Sequence, residues 1–100
     1  MNQRLVFRAS ALSDIDHAYR WYEDQQPGLG ASFMAAVEQA IARIEQNPQQ
    51  HARIRGLVRR AILQRFPYSI FYISHHDRLS AIAVMHQARH PSRWRIGKAG

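Results

Sequence analysis

The sequence predicts an α+β domain of order β-α-α-β-β-β, an N-terminal helical hairpin packed on a small twisted antiparallel sheet. Three observations carry this expectation. Apolar residues recur at helical spacing in two blocks before residue 47, and beyond residue 57 the period changes to two. The connections between the later blocks are short, which makes successive strands antiparallel neighbours. One hundred residues make a single domain, 1–100. A chain of this size buries roughly 60–68% of the surface its unfolded form exposes, enough for one core without staples.

The elements follow in order. "RLVFRA" (4–9) has the apolar, β-branched character of a short strand. Ser10 is placed to cap the helix that follows, and Asp14 and Asp16 sit near the positive end of its dipole. Leu12, Ile15, Ala18, Tyr19 and Tyr22 give that helix one apolar face up to about Gln26. "PGLG" (27–30) breaks it, because Pro27 lacks a donor and the glycines permit positive φ. In the second helix Phe33, Ala36, Val37, Ala40, Ile41 and Ile44 share a face, and Asn47-Pro48 stops the pattern. "LVRRAILQRF" (57–66), "YSIFYIS" (68–74) and "LSAIAVMHQ" (79–87) read as strands, with Pro67 and the polar turn "HHDR" (75–78) between them. Tyr68, Ile70 and Tyr72 alternate with Ser69, Phe71 and Ile73, as in a strand at least partly covered on both faces.

Charge is unevenly placed. Residues 1–50 hold four arginines against six acids, a balance of −2, whereas residues 51–100 hold nine arginines and Lys98 against Asp77 alone, a balance of +9. Five of the six histidines also lie in the second half. This asymmetry points to a polyanion or an acidic protein as partner. Thirteen of the fourteen cations are arginine, which favours bidentate and stacking contacts. With no cysteine, disulfides and thiolate metal sites are excluded. The chain shows no apolar run near the roughly 18 residues of a membrane span, and its start is too polar for a secretory signal. A cytoplasmic protein with no membrane partner is the expectation.

"WYEDQQPGLGASF", "FPYSIFYI" and "AVMHQARHPSRW", in this order, resemble the RelE/ParE superfamily of toxins from type II toxin–antitoxin (plasmid stabilisation) pairs, over roughly residues 3 to 95. The resemblance implies a small growth-arresting toxin, neutralised by a cognate antitoxin and reaching operator DNA only through that complex. One branch of the superfamily cleaves messenger RNA on the ribosome, and the other, ParE-like, poisons DNA gyrase. The ribonuclease chemistry needs a base for the ribose 2′-OH and cations for the charged phosphorane, with no metal or other cofactor. Its members commonly carry an arginine directly after the tyrosine that matches Tyr68, where this chain has Ser69. Trp94 stands where they place a C-terminal aromatic acid–base group, and an indole exchanges no proton. Arg59, Arg60 and Arg65 replace their middle-strand lysines, while Arg89 matches their C-terminal arginine. "PGLG" and "FPYSIFY" look more like the ParE-like side.

The candidate site residues follow. His86 and Arg89 would be catalytic only in a ribonuclease, His86 because it titrates near neutral pH. His86 alternates with Ile82 and Val84, which would share its face. Arg59, Arg65, Arg89, Trp94 and Trp21 are candidates for contact with target or antitoxin. Arg59 and Arg65 have the same strand parity and make the better pair, whereas the adjacent Arg60 points the other way. Trp21 lies off the apolar stripe of its helix, as an interface anchor would. His75, His76, His86 and His90 invite a metal reading, but adjacent strand residues diverge and only Asp77 is near, so no metal site is expected. Three functions remain: a poison that binds gyrase without chemistry, a ribosome-dependent mRNA endonuclease, and an inactive toxin kept as its antitoxin's corepressor.

Overall fold

The computed structural model describes residues 3–88. Over these, β1 (Leu5–Phe7) leads into α1 (Ala9–Gln25) and α2 (Leu29–Gln46), followed by β2 (Arg53–Arg55), β3 (Val58–Ile62), β4 (Tyr68–His75) and β5 (Arg78–His86). The five strands form one sheet in the order β1-β5-β4-β3-β2. The consecutive pairs β2–β3, β3–β4 and β4–β5 are antiparallel, as short connections dictate. The sheet is nevertheless mixed, because β1 runs parallel to β5, with Leu5 opposite Leu79 and Phe7 opposite Ala81. The strand β2 is an addition to the expected order. Gly56 at φ 53° supplies the left-handed residue of its two-residue hairpin.

Both helices cover one face of the sheet. The buried stripe of α1 is Ala11, Ile15 and Ala18, continued by the half-buried Tyr22, and Leu12 points outward at 55% exposure. That of α2 is Phe33, Ala36, Val37, Ala40 and Ile44. Against them the sheet places Leu5, Ala61, Ile70, Tyr72, Leu79, Ala81 and Val84. A second cluster, Val58, Phe71, Ile82 and Ala83, occupies the opposite face. Thus β4 is apolar on both sides, as its alternation requires.

Four local expectations are corrected. Ser10 does not cap α1. The helix begins two residues earlier, after Arg8 as N-cap, and the Arg8 backbone N–H bonds back to the carbonyl of Ala81. The strand expected over 57–66 stops at Ile62, because Arg65 takes a left-handed φ of 71° and Leu63 closes the loop through its N–H to the carbonyl of Tyr68. Arg65 therefore sits in a loop and is not the strand-parity partner of Arg59. A bulge between Phe71 and Tyr72 of β4 and Ala81 to Ala83 of β5 puts the consecutive Ile82 and Ala83 on one face. His86 consequently shares its side with Val84 and Tyr68, not with Ile82.

The hairpin loop is fixed by a carboxylate. Glu23 accepts the backbone N–H groups of Gly28 (3.0 Å) and Gly30 (2.9 Å), satisfying donors that the first turn of α2 would otherwise leave open. Gly28 stands at φ 92°, and a Cβ on Gly30 would lie 2.7 Å from Cε1 of Tyr19. Both positions of "PGLG" thus require glycine, one for its backbone angle and the other for close packing.

Candidate binding groove

The groove arises from a mismatch in strand length. β1 pairs only with Leu79 to Ala81, so Ile82 to His86 of β5 extend past it on that side. Side chains of α1 take over where the strand ends. Ser10 Oγ donates to the carbonyl of Ile82 (2.9 Å), and Asp14 Oδ2 accepts the N–H of Val84 (2.9 Å). Ser10, Asp14, His17 and Trp21 fall at i, i+4, i+7 and i+11, one stripe of the helix facing β5. Between this stripe and the end of the sheet lies a groove of about 1290 Å³.

Aromatic rings pave it. Trp21 meets Tyr22 at 5.1 Å and 84°, Tyr22 meets Tyr68 at 6.1 Å and 64°, and Tyr68 meets His86 at 5.2 Å and 77°. These near-perpendicular contacts are the edge-to-face geometry that ring quadrupoles favour. Phe33 and Phe66 pack behind Tyr22 and Tyr68 and hold them in place. Burial pushes the Tyr22 phenol above its ordinary pKa, with the neighbouring Tyr68 adding to the shift, so Tyr22 stays neutral at physiological pH. The indole of Trp21 is 57% exposed at the rim.

The two histidines of the groove present opposite chemistry. His17 Nδ1 lies 2.9 Å from the carbonyl of Ser13, an acceptor, so Nδ1 carries the proton and Nε2 offers a lone pair. His86 Nδ1 accepts the N–H of Ala88 at 2.9 Å, so its Nε2 carries the proton and donates. In their neutral forms the groove therefore holds one ring acceptor and one ring donor.

Of the six residues singled out in the sequence, the fold brings Trp21 and His86 together in this groove. Arg59 is elsewhere and occupied: its guanidinium donates to the carbonyls of Gln49 (3.1 Å) and His51 (2.7 Å) and to Oε1 of Gln49 (2.8 Å). Arg65 is exposed in the loop that ends at Pro67, a lining residue of the groove. Arg89 and Trp94 lie outside the described residues. Ser10, Asp14, His17 and Tyr68 were not anticipated, although the i, i+4, i+7, i+11 spacing of three polar residues and a tryptophan is visible in the sequence. The rings of His75 and His76 approach to 4.0 Å, yet among the described residues no three His, Cys, Asp or Glu side chains are placed to share a metal ion. Nor is any described helix long and apolar enough to cross a membrane.

This geometry defines a small α+β domain with a preformed aromatic groove beside a helical hairpin. The profile of the ParE toxin family, "ParE toxin of type II toxin-antitoxin system, parDE", matches residues 5–91, and the chain belongs to that family. Membership implies a cognate antitoxin as partner. Among solved structures, the fold is similar to a chain of the "Chromosomal ParDE TA system from P. aeruginosa". The TM-score is 0.74 at 18% identity, over 84% of this chain and 95% of that one. It is also similar to the conserved hypothetical protein HP0894 of Helicobacter pylori, with a TM-score of 0.58 at 18% identity, over 89% and 98% of the two chains. No curated protein matches the sequence. At these identities the structural likeness speaks for the fold.

Proposed function

We propose that this toxin acts in the cytoplasm by gripping DNA gyrase, without chemistry of its own. The observation that carries this reading is the commitment of Arg59. A ribonuclease of this superfamily would need middle-strand cations turned toward a phosphate, whereas the Arg59 guanidinium is held by three bonds to Gln49 and His51. Ser69, where the ribonuclease branch commonly places another cation, is buried at 3% exposure and offers neither charge nor access. The exposed apolar side chains of the hairpin, Leu12 and Tyr19, suit a protein surface as target. Arg89 and Trp94 are further contact candidates for gyrase or for an antitoxin segment that competes with it.

The test is purified, antitoxin-free toxin added to gyrase with relaxed plasmid and ATP. Loss of supercoiling, with linear plasmid trapped at stoichiometric toxin, is the expected result. Unimpaired gyrase, together with cleavage of ribosome-bound message that Arg89→Ala abolishes, would instead establish the endonuclease.

A further inference from the structure

We propose that the cleft beside the β4–β5 turn binds a small phosphate monoester with an apolar body. The site is independent of the gyrase reading and lies at the other end of β5 from the groove, which takes Ile82 to His86 where the cleft takes Arg78 and Ser80. Its volume is about 740 Å³, within the range of small-molecule pockets. Two guanidiniums line it. Arg8 is anchored beside β5 by its backbone N–H to the carbonyl of Ala81, and Arg78 is the first residue of β5. Among the described residues neither side chain makes a hydrogen bond or ion pair. By contrast, Arg20, Arg43 and Arg59 are engaged with Asp16, the carbonyl of Ile62 and the 49–51 segment.

The turn adds two rings to these cations. His75 and Arg78 face each other across the two-residue turn His76-Asp77. His76 stands at φ 56°, a left-handed conformation that most residues with a side chain avoid and a glycine takes freely. Neighbouring strand residues point to opposite sides, yet here the two imidazoles approach to 4.0 Å and both line the cleft. Each neutral ring offers one N–H, and the Ser80 hydroxyl offers a further donor. The exposed Leu57, just past Gly56, and the half-buried Ile73 add apolar surface.

This set of groups selects the ligand. One guanidinium fork fills the two oxygens of a carboxylate and leaves the second arginine unused. The three terminal oxygens of a phosphate monoester engage both forks and still accept an imidazole N–H or a hydroxyl. Asp77 is the one acid of the lining and offsets only one of the two arginine charges. A metal ion is not matched, since among the described residues no three ligating side chains converge. Leu57 and Ile73 give an ester group a surface that inorganic phosphate cannot use.

Phenyl phosphate, inorganic phosphate and phenylacetate would each be titrated calorimetrically into the full-length toxin at about 0.15 M salt. Phenyl phosphate should bind about tenfold more tightly than either of the others. Arg8→Gln and Arg78→Gln should each weaken it by about tenfold, the worth of a charge-assisted bond. Leu57→Ser should weaken phenyl phosphate and leave inorganic phosphate unchanged. Arg53→Gln, which removes an exposed arginine outside the cleft, should alter nothing. Failure of phenyl phosphate to bind, equal binding of phenylacetate or inorganic phosphate, or an effect of Arg53→Gln as large as that of Arg78→Gln would overturn the proposal. All four substituted side chains are exposed, so the core stays intact, and circular dichroism verifies this.

Discussion

Asp14 and Val84, seventy residues apart in sequence, are joined by a 2.9 Å bond from the Val84 backbone N–H to the Asp14 carboxylate. A helix side chain here does the work of a missing strand. It satisfies a backbone donor of β5 where β1 has already ended, and so protects the sheet edge that forms one wall of the groove.

Replacing Asp14 by alanine leaves that donor without its acceptor, a loss of about 1–3 kcal/mol for a partly buried group. Asp14→Asn keeps a carbonyl oxygen at the position and should recover most of it. Urea unfolding of the two variants checks the order, and equal stability of Asp14→Ala and the unmodified chain would refute this role.

Glu23 tethers the entry of α2 through Gly28 and Gly30. Its alanine variant should lose about 1 kcal/mol, as a missing N-terminal cap does. Hydrogen exchange should accelerate first in residues 28–32. Uniform acceleration across the chain would place the effect elsewhere.

Arg59 is expected to matter for stability and not for action. Arg59→Gln should lower the urea midpoint, since three bonds holding residues 49–51 are lost or weakened. Its potency per folded molecule should be unchanged in the supercoiling assay. A folded variant without potency would return Arg59 to the contact surface.

His51 gives the fold a pH dependence of definite sign. Burial, opposed in part by a bond to the Arg43 backbone and reinforced by the charges of Arg43 and Arg59, holds its pKa below the ordinary 6.5. Among the described residues its Nε2 is buried without a hydrogen-bond partner. The unfolded chain therefore takes up the proton first as pH falls through the ordinary value, and stability declines until the folded form titrates too. Between neutral pH and about pH 5 the unmodified chain should lose more stability than His51→Gln, in thermal melts at fixed ionic strength. Equal losses would sink the assignment.

How much of this was legible differs from element to element. The periodicity of α2 was plain because its apolar stripe is uninterrupted and Asn47-Pro48 ends it. By contrast, "LVRRAILQRF" keeps its apolar pattern through Leu63 and Phe66, while the chain has already turned at Arg65 without a glycine to announce it. β2 is three residues long and owes its form to β3, so no local preference marks it. The bulge that puts Ile82 and Ala83 on one face leaves no trace in "AIAV". Trp21 and His86 stood out by residue type. The α1 stripe that carries Trp21 was visible only as a spacing and not as a wall facing His86, because Ser10 and Asp14 read equally well as helix-terminal residues. Their actual partners exist only because β1 is shorter than β5, which is a property of the assembled sheet.

The parallel pairing of β1 with β5 also has a temporal side. The first strand of the sheet finds its neighbour only in residues 79–81, after the rest of the sheet's sequence has been made. Contacts of such sequence separation are the slow ones in folding, since a long loop must close before they form. A nascent chain that has reached only residue 77 lacks the partner of β1, the outer neighbour of β4 and one wall of the groove. This defers completion of the groove until residues 78–86 have been made, when an antitoxin already present can meet the fold as it forms. Ribosome-stalled chains ending at residue 77 should remain protease-sensitive, with protection appearing only in chains long enough to expose β5.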